Sequence, residues 1–287
     1  MDLSSLHAFL QVAQTGSFSE AADRLFLTQP AISKRIAGLE NTLGTRLFDR
    51  IGRRVSLTEA GSALLPRARD LINAANDIKR LASTLTGEVA GTLAFATSHH
   101  IGLHRLPPIL RAFTRDHPQV RMDIRFLDSE VASRAVESGE LELAIVTLPE
   151  SAPPMLDSRA IWHDRLLFVA APDHPLAQEP SIPPQRLAEF PAVLPGSTTY
   201  TRAILDRALR GHGVSLDRVQ TTNYLETLKM LAAAGLGWSL LPHTLLDGDL
   251  VPLNVEGIEL GRQLGILIHR DRTLGNAARR MIELCIE

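Results

Sequence analysis

Side chains able to do chemistry gather in three stretches of this 287-residue sequence. The first is "TQPAISKRIAGLENTLG", residues 28 to 44, where Thr28, Gln29, Ser33, Lys34 and Arg35 crowd the start of a helix. From Thr28 to Ser56 six basic residues face two acidic ones, a local +4 in a chain whose net charge is −2. Such a cluster is either a phosphate-seeking surface or a solvated face. The second stretch, "ATSHHIG", holds Ser98, His99 and His100. The third, "LPGSTTYTR", holds Gly196, Ser197, Thr198, Thr199, Tyr200 and Arg202. Each of these two follows an apolar run and opens a helix. Hydroxyls and free backbone N–H groups at a helix start make an anion site, unless Ser98, Ser197 and Thr198 merely cap their helices.

His100 and His104 stand four apart on one helical face, as zinc-binding pairs do. No cysteine is near and no H-E-x-x-H occurs, so the expectation is no metal, the histidines being polar cleft or helix-surface residues. No G-x-S-x-G, P-loop or properly placed G-x-G-x-x-G is present, and no catalytic residues or cofactors are expected. The single cysteine, Cys285, excludes an internal disulfide and reads as a structural thiol in a reducing cytoplasm. No apolar run approaches the roughly 18 residues of a membrane span. The N-terminus lacks the basic region and cleavage site of a signal peptide, so a cytoplasmic protein away from membranes is expected.

The elements that must position these residues fall into three parts. "LSSLHAFLQVAQTG" and "SFSEAADRLF" read as short helices, the first ended by Gly16, the second capped by Ser19 with Ala22, Leu25 and Phe26 inward. With a turn at Leu27 and the helix after Thr28 they make a helix-turn-helix. Thr28 is a good N-cap, and its hydroxyl must reach Ala31 because Pro30 has no N–H. Ile32, Ile36, Leu39 and Leu43 give that helix one apolar stripe. "RLFDRIGRRVSL" reads as a hairpin, or wing, with arginines at its tip.

Next, Leu64, Ala68, Leu71, Ala75, Ile78, Ala82 and Leu85 alternate four and three apart. This heptad seam predicts antiparallel dimerisation or packing against its own chain. Pro66 should kink or break the helix near its start. From about residue 89, strands such as "GTLAFATS", "VRMDIRFLD" and "LELAIVTL" alternate with helices, which predicts a mostly parallel sheet in two α/β lobes. The last strand and helix are expected to return to the first lobe.

The motifs AA-x-x-L, TQPA-x-S, LE-x-x-LG, LF-x-R and LT-x-AG in "FSEAADRLFLTQPAISKRIAGLENTLGTRLFDRIGRRVSLTEAG" are carried at specific spacings. On these the chain resembles the LysR-type transcriptional regulators over essentially its full length. Lys34 stands where many members have arginine, which keeps charge but loses the bidentate fork.

The resemblance implies an α/β protein with an N-terminal winged helix-turn-helix, residues 1–58, the helix-turn-helix proper running from Phe18 to Ala37. It implies a dimerising linker helix, residues 59–88, and an effector-binding domain resembling periplasmic binding proteins, residues 89–287. Lobe I would be 89–161 and 266–287, and lobe II 162–265. Gln29, Pro30, Ala31, Ser33 and Lys34 would enter the major groove of double-stranded promoter DNA. Gln29 suits adenine and Lys34 suits guanine or phosphate. Arg50, Arg53 and Arg54 would touch phosphates or the minor groove, beside Thr28 and Arg35. Family effectors contact positions matching Ser98, Thr147 and the loop from Gly196 to Tyr200, so a small anionic metabolite is expected between the lobes, with Arg202 adding a carboxylate contact. A homodimer or a homotetramer built as a dimer of dimers is implied, with RNA polymerase as a further partner. The C-terminal two-thirds alone would equally suggest a solute-binding protein of a transport system. The basic helix-turn-helix and the missing signal peptide argue against that.

Overall fold

A computed structural model describes residues 1–51 and 54–287, in two compact units, Met1–Thr86 and Gly87–Glu287. Arg53, expected at the wing tip, lies outside the described residues.

The first unit runs α1 (Leu3–Thr15), α2 (Phe18–Arg24), α3 (Gln29–Leu43), β1 (Phe48–Ile51), β2 (Arg54–Leu57) and α4 (Glu59–Thr86). Gly16, at φ 64, ends α1 as a left-handed cap. Ser17 caps α2, accepting from the Glu20 N–H, and Ser19 lies inside the helix rather than at its start. Phe26 also departs from expectation. Its φ of 54 swings the side chain out of the turn, and it is 89% exposed. Thr28 caps α3 by accepting from the Ala31 N–H at 3.4 Å, past Pro30. Phe9, Val12, Ala22, Ile32, Ile36 and Leu39 close the three-helix core, and Leu47 and Phe48 extend it to the hairpin.

Three motif residues lock this arrangement. The Glu40 carboxylate accepts from the Leu47 N–H at 2.8 Å, tying α3 to the entry of β1. The Thr58 hydroxyl donates to the Arg46 carbonyl at 2.8 Å and accepts from the Gly61 N–H at 3.0 Å, capping α4. A Cβ on Gly61 would lie 2.2 Å from the Leu47 carbonyl oxygen, so only glycine lets α4 start there.

Helix α4 continues through Pro66 to Thr86, so of the kink or break expected there the break does not occur. The heptad stripe divides along it. Ala68 is buried and Leu64 partly buried against the three-helix core, together with Ile72, which lies off the stripe. Leu71, Ile78 and Leu85 are 48%, 70% and 82% exposed, and Ala82 is exposed too.

The second unit runs β3 (Gly91–Thr97), α5 (His99–His104), α6 (Leu106–Asp116), β4 (Val120–Phe126), α7 (Ser129–Glu137), β5 (Leu143–Thr147), β6 (Leu156–Ala170), β7 (Ala192–Leu194), α8 (Tyr200–Gly211), β8 (Val219–Thr221), α9 (Leu225–Ala233), β9 (Trp238–Pro242), β10 (Val251–Pro252), β11 (Leu260–His269) and α10 (Asn276–Ile286). The strands join in the order β4-β3-β5-β11-β6-β9-β7-β8, with β10 on β6. The flanks are parallel, β3 between β4 and β5 and β7 between β8 and β9. The centre is antiparallel: β11 pairs with β5 and β6, and β6 pairs with β9. Two parallel lobes are thus spliced by the long strands β6 and β11. A bulge between Leu264 and Gly265 shifts the register along that splice. A Cβ on Gly265 would lie 2.1 Å from the Arg159 carbonyl oxygen, so the strands cross too closely for any larger residue.

Each lobe has its own core. Leu93, Phe95, Phe113, Ile266 and Met281 build one, and α10 returns to it as expected. Cys285 is buried there, and burial pushes its thiol up to about 12, which leaves it inert. Trp238, Phe168, Leu194 and Leu205 centre the other, with the Trp238 indole donating to the Leu187 carbonyl at 3.0 Å.

Candidate functional site

The start of α3 presents its polar residues outward. Ile32, Ile36 and Leu39 bury one face, so the positions between them point away from the core. Thr28, Gln29, Pro30 and Lys34 are exposed, and Ala31, Ser33 and Arg35 partly so. The Gln29 amide donates to the Ser33 hydroxyl at 3.0 Å, one helical turn away. That contact holds the amide along the helix while its carbonyl stays free. Arg50 and Arg54 lie on the facing strands of the hairpin.

The second site is a cavity of about 120 Å³ between the two lobes. It lies beyond the carboxyl ends of parallel strands, where open α/β sheets hold ligands. Lobe I contributes Ser98 and His99 after β3, Asp128 to Glu130 after β4, and Thr147 at the end of β5. Lobe II contributes Pro195, Thr199 and Thr201 around the start of α8, and Asn223 and Tyr224 before α9. Arg262 of β11 closes the floor.

Of the expected effector residues, Ser98, His99, His100, Thr147 and Thr199 line this cavity, and Gly196, Ser197, Thr198, Tyr200 and Arg202 do not. Ser197 and Thr198 are exposed. Thr199 is the residue that caps α8, accepting from the Arg202 N–H at 3.2 Å. Arg202 is committed to Asp206 at 2.7 Å and to the Pro195 carbonyl at 3.3 Å. Ser98 makes no capping bond to α5, and its Oγ is buried without a hydrogen-bond partner.

Residues outside the two loops set the electrostatics. Arg262, buried, donates from Nε and Nη2 to Asp164 at 3.0 and 2.8 Å and from Nη1 to the Thr201 hydroxyl at 2.9 Å. Three carboxylates cross or edge the cleft. The Glu130 carboxylate accepts from the Tyr200 N–H at the start of α8. Asp128 accepts from the Asn223 amide at 2.7 Å, and the Asn223 carbonyl accepts from the Gly196 N–H at 3.0 Å. Glu226, on the first turn of α9, meets His104 at 3.0 Å. The two hydroxyl-rich loops hold no acid, but these neighbours place negative charge where an open anion site was expected. Burial raises the Glu130 pKa above the ordinary carboxylate value, against the bond from Tyr200. His100 falls from 6.5 to about 4, through burial and then the charge of Arg262, so its ring is neutral at physiological pH.

Among the described residues, His100, His104 and Glu226 form a group able to hold a metal ion. No helix of the described residues is long and apolar enough to cross a membrane.

The model for the bacterial regulatory helix-turn-helix protein, lysR family, matches residues 3–62, and that for the LysR substrate binding domain matches residues 86–287. The chain belongs to the LysR family. An Escherichia coli K12 relative, the HTH-type transcriptional regulator YeiE, is 30% identical over 99% of this chain and 96% of its own. A regulator from the ibpB-leuC intergenic region of Azotobacter vinelandii is 65% identical over 38% of this chain and 75% of its own. The structure of a full-length OxyR variant from Pseudomonas aeruginosa shares the fold with a TM-score of 0.70, covering 100% of this chain and 93% of that one at 24% identity. This LysR regulator is therefore a DNA-binding transcription factor with a small-molecule effector domain, and it is not an enzyme.

In this LysR chain the sequence pattern missed Asp128, Glu130, Asn223 and Arg262. The first two follow β4 and could have been found by asking which loops share the carboxyl edge of the sheet with "ATSHHIG". Arg262 sits inside a strand next to "ELG", and only its pairing with Asp164, 98 positions earlier, brings it to the floor.

Proposed function

We propose that this regulator reads its operator with the start of α3 and answers to a small polar effector held between the lobes. Gln29, Pro30, Ala31, Ser33 and Lys34 enter the major groove, with Gln29 set against adenine and Lys34 against guanine or phosphate. Thr28 and Arg35 hold the phosphate backbone, and Arg50, Arg53 and Arg54 of the wing meet phosphates or the minor groove. The exposed half of the α4 stripe, from Leu71 to Leu85, pairs with the same stripe of a second chain. Two such dimers form a tetramer that meets RNA polymerase at the promoter, in the cytoplasm.

The single observation behind the effector reading is Ser98, a residue that lines a cavity shared by both lobes and whose buried hydroxyl has no partner. Buried hydroxyls without partners are costly and rare in native proteins. With Thr147, Thr199, Thr201 and Arg262 it favours a small carboxylate or inorganic oxyanion. Because Glu130 already occupies the start of α8, the anion must displace that carboxylate or meet it protonated. Entry therefore exchanges one lobe-bridging contact for another. The lobe equilibrium shifts only by the difference in affinity between the two arrangements.

Calorimetric titration of the full chain with small carboxylates and inorganic oxyanions tests this. Ser98→Ala and Thr199→Ala should each weaken binding about tenfold, the cost of about 1.4 kcal/mol for one hydrogen bond. Operator affinity without effector should stay unchanged. Equal anion binding by the double variant would refute the clamp.

A further inference from the structure

The cleft residues that the effector reading leaves unused converge at one point. His100 and His104 lie one turn apart on α5 of lobe I, and Glu226 lies on α9 of lobe II. His104 Nε2 is 3.0 Å from Glu226 Oε1, and His100 Nδ1 is 3.7 Å from the same oxygen. One donor atom from each residue lies within 4.8 Å of the others. A tetrahedral cation with bonds near 2.0–2.1 Å requires donors roughly 3.4 Å apart, so the side chains need only small rotations.

A second, independent observation is the state of His100. The residue is 5% exposed, yet neither ring nitrogen has a hydrogen-bond partner. A buried imidazole normally donates from one nitrogen and accepts at the other. Glu226 Oε2 is likewise buried and without a partner. Arg262, whose charge reaches His100, is paired with Asp164 at 2.8 Å, and the Glu226 carboxylate adds negative charge at the site itself.

We propose that His100, His104 and Glu226 form a Zn²⁺ site that ties the two lobes together. Two neutral imidazoles and one carboxylate are the donor set of zinc sites that keep an open fourth position, here filled by water. Imidazole favours zinc and its first-row neighbours over Mg²⁺ and Ca²⁺, which take oxygen donors. The metal pulls α9 onto α5 and so favours closed lobes, whatever occupies the cavity beside Ser98. The sequence spacing alone did not justify this, because the third donor comes from position 226, more than a hundred residues away.

The test is titration of untagged, metal-free full-length protein with Co²⁺, read by its visible d–d absorption, followed by displacement with Zn²⁺. One Co²⁺ per chain in a four- or five-coordinate spectrum, lost on adding Zn²⁺, is the expected result. His104→Ala and Glu226→Gln should each weaken Zn²⁺ binding at least about tenfold, no less than the loss of an outer-shell partner. Both side chains are partly exposed, at 39% and 35%, so neither change opens the core, and circular dichroism checks the fold. Ser98→Ala should leave Zn²⁺ affinity unchanged, which separates this site from the effector reading. Absence of the d–d bands at millimolar Co²⁺, or equal Zn²⁺ affinity in the His104 and Glu226 variants, would overturn the assignment.

Discussion

At the start of α3 the candidate DNA-reading residues sit within eight consecutive positions, 28 to 35, whereas the effector cavity draws on residues spread from Ser98 to Arg262. The first site is a surface. Its side chains project from a helix whose opposite face is buried, so each but the cap Thr28 can change with little effect on the fold. The second is an assembly. Arg262, Asp164 and Thr201 form one buried network, and Glu130, Asp128 and Glu226 each bond across the lobes. A helix face tolerates substitution because solvent replaces what is lost. A buried cleft does not, because a removed partner leaves the other group without water or bond.

The largest expected break in this contrast is Arg262→Leu. It removes both hydrogen bonds to the fully buried Asp164, leaves it only the longer contact to Arg105 at 3.9 Å, and should cost about 3–5 kcal/mol, as when one partner of a buried ion pair is removed. Urea denaturation should show the loss in the second unit only. Arg35→Leu on α3 should stay within about 0.5 kcal/mol. If both cost the same, the division into surface and assembly fails.

The α4 stripe comes next. Leu71→Glu combined with Ile78→Glu places two charges in the proposed seam and should raise the dimer dissociation constant about a hundredfold, or about 2.8 kcal/mol. Both side chains are exposed within the chain, so monomer stability should hardly move. A dimer intact by sedimentation at micromolar concentration would remove the seam.

Gln29→Ala should weaken the cognate operator by about 1–3 kcal/mol and random DNA far less, without changing the melting temperature. Equal losses on both DNAs would make Gln29 a backbone contact.

The smallest effect concerns Glu130. Its folded pKa is raised, so the folded chain holds the proton to higher pH than the unfolded chain. Any stability linked to that proton is present below the ordinary carboxylate value and is lost as pH rises through the raised one. Oxyanion affinity should rise in the same direction, a few-fold as pH falls from neutrality, and the rise should vanish in Glu130→Gln. A pH profile unchanged by the substitution would show that Glu130 stays outside the exchange.

Parts of each region could be read early. The wing, the cap at Thr28 and the outward polar face of α3 follow from periodicity and helix-start chemistry, which act over a few residues. Phe26 departs from its pattern: an apolar residue at helical spacing reads as core, and a single left-handed φ reverses it. Glu40, Thr58 and Gly61 stand in the same motif as Gln29 and Ser33, yet they lock α3, the hairpin and α4 together. A motif therefore mixes reading residues with positioning ones, and only contacts separate them.

What the sequence determined by itself was the order of elements, the buried face of α3, and the hydroxyl-rich starts of α5 and α8. These depend on local backbone preference and on the repeat of apolar residues. Only the tertiary structure decided that Leu64 and Ala68 close their own unit's core while Leu71, Ile78 and Leu85 stay open. It also decided that Thr199 rather than Ser197 or Thr198 reaches the cavity, and that Glu226 meets His104. The physical reason is the antiparallel splice of β6 and β11, which sets two lobes edge to edge and joins residues more than a hundred positions apart. No local pattern encodes that distance.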